Sequence, residues 1–379
     1  MRKSPAILGA VLLSGILLAG TSLLGAAAPS PSIDARAYLA QHGYLPIHGV
    51  DTLNRAKAWS ESVASGLAAQ AAATPTGRTL PTLGPGWNGL SETDLAPPDP
   101  NGAIGPNSYI EIINTQMGIY SRTGAKLASI KLQVLTGHSS ISDPIVLWDP
   151  DTQRFYYNVW DTNINTMEWG FSKTSKPTTL PTDFCNYTAT FGYLAGQFTD
   201  YPKLGQTKGF LDIGINFYPS GSSLHATRSD LLWITKPQGS ASLSICPVAS
   251  SFTSGKFTNL RNQDGSQAFT PVPAIQTDPS NTGYISAMSD IECPDICGSG
   301  SKITVYSLTP SANPKIPVLS SPLSVTVTSY TSPPSAPQKG TTNKLDTLDG
   351  RLTHSVSGID PTYNKTAVWL AHTVLGGAG

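Results

Sequence analysis

The stretch Asp143-Pro144-Ile145-Val146-Leu147-Trp148-Asp149, a turn at Pro150-Asp151, and Arg154-Phe155-Tyr156-Tyr157-Asn158-Val159 decides the fold. It holds an Asp-Pro opening, a short apolar run, a two-residue turn signal and an aromatic run too short for a stable helix. Trp169-Gly170-Phe171-Ser172-Lys173 adds a third run of the same kind. Short runs rich in Tyr, Phe, Val and Ile between Asp, Pro and Gly turns read as successive β-hairpins.

The same order of parts returns on both sides. Upstream, residues 99–105 open with Asp99-Pro100, and runs follow at 109–114 and 118–121. Downstream, residues 200–205, 270–275 and 345–350 open three further units, with aromatic or β-branched runs at 210–216, 231–236, 284–288, 303–306 and 367–374. Openings at Asp99, Asp143, Asp200, Thr270 and Asp346 lie 44, 57, 70 and 76 residues apart. A four-stranded propeller blade takes about 40–50 residues, so the longer units carry inserted loops. The expected fold is all-β, a β-propeller of about five to six blades; the alternative is a β-sandwich with evenly spaced turns. The last unit looks incomplete, because residues 375–379 close the chain without a third or fourth strand. Either residues near Gly86–Leu90 complete that blade, or the chain is truncated at its C-terminus.

The N-terminus sets the compartment. Residues 1–28 read as a signal peptide: Arg2 and Lys3, an apolar run at 6–25, and a small-residue cleavage site at Gly25-Ala26-Ala27-Ala28. The long apolar run leaves an uncleaved anchor as the alternative. Residues 29–73 form an Ala-rich helical segment with Leu53, Ala56, Trp59, Val63 and Leu67 at helical spacing, and 74–86 is a Pro/Gly linker to the domain at 87–379. Without Arg2 and Lys3 the 24 basic residues fall to 22 against 24 acidic ones, a net charge of −2. That gives no footprint for nucleic acid, and no later stretch spans a membrane. The expected location is secreted or cell-surface. Four cysteines in an exported chain read as two disulfides, and of the three pairings the sequential one, Cys185–Cys246 and Cys293–Cys297, is favoured.

The openings at 99–105, 142–149 and 199–205, with residues 337–340, 345–352 and His372-Thr373-Val374, resemble a group of uncharacterised secreted microbial proteins. The resemblance covers about residues 99–374 and implies a sialidase-like β-propeller. A Trp-containing strand that follows His-Thr-Val in that group is missing here. A fold of this kind does not fix a function. The sialidase Asp box is also absent, and no arginine triad can be identified.

In a propeller the openings converge on one axial mouth, which would gather Asp99, Asp143, Asp200 and Asp346. Three roles suit such a ring. Two carboxylates serve glycoside hydrolysis at about 5–5.5 Å or 6.5–9.5 Å separation. A ring of oxygens also suits Ca²⁺, and no other cofactor is expected. Third, each Asp before Pro can cap its own turn, and recurrence in every blade favours this structural role. Glu168 is the proton-donor candidate by elimination. Trp148, Trp160 and Trp169 are candidates for stacking on sugar rings, and Arg154 and Arg351 for binding an anion; blade-core and surface roles stand beside these. Gly137-His138-Ser139-Ser140-Ile141 lacks the second glycine of a nucleophile elbow, and no metalloprotease, phosphate-loop or dinucleotide motif occurs. Asn186-Tyr187-Thr188 and Asn364-Lys365-Thr366 match a glycosylation sequon. The expected function is binding of an extracellular glycan, polymer or protein partner; the alternative is a glycoside hydrolase or lyase using axial carboxylates.

Overall fold

A computed structural model describes residues 84, 86–92, 97–194, 196–219, 226–289 and 300–375. The signal peptide, the helical segment at 29–73, nearly all of the linker, and Cys293 and Cys297 lie outside the described residues. The strands form successive antiparallel meanders. Blade 1 is β1 (Asn101–Ile104), β2 (Ser108–Ile113), β3 (Gln116–Ser121) and β4 (Lys126–Lys131), followed by the short helix α1 (Leu132–Thr136). Blade 2 is β5 (Ile141–Asp149), β6 (Arg154–Asp161), β7 (Thr166–Ser172) and β8 (Phe184–Thr190). Blade 3 is β9 (Phe198–Gln206), β10 (Phe210–Tyr218), β11 (Arg228–Thr235) and β12 (Ser254–Phe257).

Blade 4 opens with β13 (Ala268–Pro273), which continues as the short β14 (Ile275–Gln276). It adds β15 (Gly283–Ser289), β16 (Gly300–Pro310), and β17 (Pro317–Leu319) and β18 (Leu323–Tyr330), both paired to β16. A ribbon of β19 (Ala336–Pro337) and β20 (Lys344–Leu345) precedes the fifth unit, β21 (Leu352–Asp360) and β22 (Lys365–His372). The fifth unit thus has two strands among the described residues. Residues 86–92 carry no strand and do not complete it. Trp87 instead packs on Tyr109 and Tyr120 of blade 1, at 5.8 and 6.3 Å between ring centres.

The inner strands touch in sequence, β1 to β5, β5 to β9, β9 to β13 and β13 to β21. β14 pairs in parallel with both β9 and β21. Parallel neighbours around an axis, each starting its own meander, make a propeller, and two face-to-face sheets are not what these strands build.

The blade openings share a backbone device. Asp99, Asp143, Tyr201, Thr270 and Leu348 all have positive φ, between 45° and 56°. Four of the five precede proline, as Asp99-Pro100, Asp143-Pro144, Tyr201-Pro202 and Thr270-Pro271. The pairing registers of β5, β9 and β13 each skip at that dipeptide. A bulge is where an inner strand tolerates a residue with no N–H to donate, and it re-aims the neighbouring side chain. Left-handed backbone at a non-glycine residue costs about 1–3 kcal/mol and must be held by its surroundings. An asparagine of the preceding blade does so twice: Asn114 Oδ1 accepts the Asp143 N–H at 2.9 Å, and Asn216 Oδ1 accepts the Thr270 N–H at 2.9 Å.

The register corrects one sequence expectation. The equivalent position holds Asp, Asp, Tyr, Thr and Leu, so Asp200 sits one residue before it and Asp346 two before it. What repeats is a backbone conformation. The aspartates do not.

Both faces of blade 2 are buried, one against blade 1 around Ile110, Ile112 and Val159, the other against blade 3 around Trp160, Trp169 and Ile213. Trp160 and Trp169 are 1% and 2% exposed, so these two stacking candidates are core residues with no ring face free for a sugar. Gly214 is required by close approach, since a Cβ there would collide with the Pro271 carbonyl. Cys185 in β8 is bonded to Cys246, in the connection between β11 and β12, and this disulfide joins blades 2 and 3. Among the described residues no helix is long and apolar enough to cross a membrane.

Candidate functional site

The openings of all five units surround one cavity of about 830 Å³. Asp99, Asp143, Asp200 and Asp346 all line it, together with Lys203, Arg351, His354 and the half-buried ring of Trp148. The bulges explain the convergence, because each turns the residues around its X-Pro step toward the axis.

Asn114 organises the blade 1 to blade 2 seam. Its Nδ2 donates to Asp99 Oδ2 at 2.8 Å and to the Pro97 carbonyl at 2.8 Å, while its Oδ1 takes the Asp143 N–H. Asp99 and Asp143 lie within hydrogen-bonding reach of each other. Burial, then the charges of Asp200 and Asp99, hold the Asp143 carboxyl well above the usual carboxylate range. Burial raises Asp99 as well, against the lowering effect of its Asn114 hydrogen bond. Two carboxyls this close cannot both ionise cheaply.

Lys203 faces this pair. Burial pulls its amine down to about 8, with Asp143 opposing that shift and Arg351 adding to it. Its Nζ lies 3.7 Å from the centre of the Tyr201 ring. Arg351 is spoken for: it grips Asp349 through Nε at 2.8 Å and Nη2 at 2.6 Å, and stacks over Tyr201 and Phe269 at 4.9 and 5.1 Å. It shapes the wall and has its counter-ion beside it. Asp346 behaves as a cap, with its Oδ1 accepting the Leu348 N–H at 2.8 Å. His354 is held below the usual histidine range by burial and by Lys203.

Other candidates fall elsewhere. Arg154 is 1% exposed and donates to the carbonyls of Ser172 at 3.0 Å, Lys173 at 2.5 Å and Ala241, so it ties loops together and has no surface for an anion. Glu168 is not a cavity residue. It is 2% exposed in β7, bonded to Thr166 at 3.0 Å and Thr188 at 2.7 Å, with His138 Nε2 at 3.4 Å. It has no path to donate a proton at the axis. Among the described residues no cluster of three or more His, Cys, Asp or Glu is arranged to hold a metal ion.

Sequence reading missed Asn114 and Lys203. Lys203 was in view, immediately after the Tyr201-Pro202 bulge in an inner strand. Asn114 directly follows the second strand of blade 1, and its signal is the matching Asn216 of blade 3.

The far ends of the same inner strands are closed. Asp149 at the end of β5 meets Lys236 at 2.7 Å, Lys236 meets Gln206 Oε1 at 2.9 Å, and Gln206 Nε2 donates to the Gln276 carbonyl at 2.7 Å. All four side chains are buried.

No family model matches the chain, and no curated protein matches it. Among solved structures it is similar to one described as the crystal structure of a thermostable family-43 glycoside hydrolase, over 71% of this chain and 81% of that one, at 12% identity and a TM-score of 0.32. A likeness at that level transfers no residue role.

Proposed function

We propose that the open axial end binds a polyhydroxylated polymer, an extracellular glycan, and that the chain is exported to meet it. The observation that carries this reading is the convergence of Asp99, Asp143 and Asp200 with Lys203 at the mouth of a cavity that the Trp148 ring lines further along β5. Carboxyl and ammonium groups accept and donate to vicinal hydroxyls, and a half-exposed indole face stacks on a sugar ring. The volume falls within the range of about 300–1,000 Å³ usual for small-ligand sites, enough for a few sugar units.

The hydrolase or lyase alternative rests on a different observation, the raised pKa values of Asp143 and Asp99 beside a third carboxyl, Asp200. Asp99 and Asp143, within hydrogen-bonding reach of each other, are closer than the about 5 Å at which a pair straddles a glycosidic bond, so this reading needs Asp200 as one member of its pair. Glycan-array binding together with a reducing-sugar assay separates the readings. Capture without release supports the binding reading; new reducing ends made by the wild type and lost in Asp143→Asn support the enzyme.

A further inference from the structure

At the closed end, Asp212 is 1% exposed and neither carboxylate oxygen has a well-formed hydrogen bond, the Thr207 hydroxyl being the donor beside it. A buried polar group left unpaired calls for an explanation. Its surroundings supply one. The side chains of Lys236 and Asp149 are 0% exposed and 2.7 Å apart. Lys236 is held by Gln206 at 2.9 Å, and the Asp149 carboxyl is oriented by Thr152 Oγ1 at 2.6 Å and the Asp151 N–H at 3.0 Å. The charge of Lys236 acts directly on Asp212. An amine and a carboxyl are thus held in contact in a fully buried site, with a second buried acid within reach of the amine's charge.

We propose that Lys236 and Asp149 condense to an intramolecular amide that fastens blade 2 to blade 3, with Asp212 carrying the proton. Burial pulls the Lys236 amine below its ordinary value and pushes Asp212 up to about 8, which favours a neutral nucleophile beside a protonated acid. The step balances internally. Proton transfer within the ion pair gives a free amine and a carboxylic acid. The amine nitrogen attacks Asp149 Cγ, forming the C–N bond. Asp212 takes the proton leaving nitrogen and returns one to the departing hydroxyl, so a C–O bond breaks and one water is released. Fixed proximity of the reacting groups supplies the rate, and the full burial of both side chains opposes hydrolysis. The disulfide Cys185–Cys246 already joins the same two blades, so the amide would be a second covalent tie across one seam.

The test is mass spectrometry of the purified full chain, reduced, denatured and digested. The expected result is a branched peptide joining the Lys236 and Asp149 segments, lighter than their sum by one water, with Lys236 refractory to acetylation. Lys236→Arg should give only linear peptides, and Asp212→Asn should still hold linear peptides when the wild type is fully joined. A wild type yielding only linear peptides with acetylated Lys236 would overturn the link. Joining in Asp212→Asn at the wild-type rate would overturn the role of Asp212.

Discussion

The two ends of the propeller axis are built from the same inner strands and solve opposite problems. At the closed end Asp149, Lys236, Gln206 and Gln276 are buried and bonded to one another. At the open end Asp99, Asp143 and Asp200 are half-buried, crowd one another, and share a single nearby ammonium, Lys203. Charge that is paired and sealed serves stability. Charge that is crowded and left facing a cavity costs stability, and under the proposed function it is retained for a ligand.

Breaking the closed end should have the largest effect. Lys236→Met leaves Asp149 buried without its partner and should cost about 3–5 kcal/mol in urea unfolding. At the open end, Asn114→Ala removes the clamp on Asp99 and on the Asp143 N–H, and should cost about 1–3 kcal/mol. A loss at Asn114 as large as that at Lys236 would erase the contrast between the ends.

The smallest stability effect should be Asp143→Asn, and it should appear in the pH dependence. The folded pKa of Asp143 is raised, so the folded chain holds a proton that the unfolded chain has released. Wild-type stability attributable to this group is therefore full below the ordinary carboxylate pKa of about 4 and declines as pH rises through the folded value. Asp143→Asn should flatten that decline in unfolding curves taken from pH 3 to 8 in ~1-unit steps; an unchanged slope would mean Asp143 ionises freely.

How much of this was legible in the sequence follows from the range of the interactions. Blade order was readable because each meander is local and its turns are marked by Asp, Pro and Gly. The Cys185–Cys246 pairing was readable because few cysteines compete. Equivalence of the four aspartates was misread, because the repeated element is a left-handed residue before proline, and Asp, Tyr and Thr all occupy it. Arg154 was misjudged, and the core role of Trp160 and Trp169 could not be told from a stacking one, because burial on blade 2 depends on blade 3, supplied from more than 40 residues further along the chain. The Asp149–Lys236 contact spans 87 positions, and no local pattern announces it.

The central claim, that the open end binds and the closed end holds, is tested most directly by one crossed binding measurement. Wild type, Asp143→Asn/Asp200→Asn and Lys236→Met are applied to the same glycan array, with thermal unfolding run in parallel. The account predicts that the double variant loses the glycans captured by the wild type at a Tm no lower than the wild type's. It predicts that Lys236→Met, assayed below its lowered Tm, still captures them. Capture retained by the double variant, or no capture by the wild type, would contradict it.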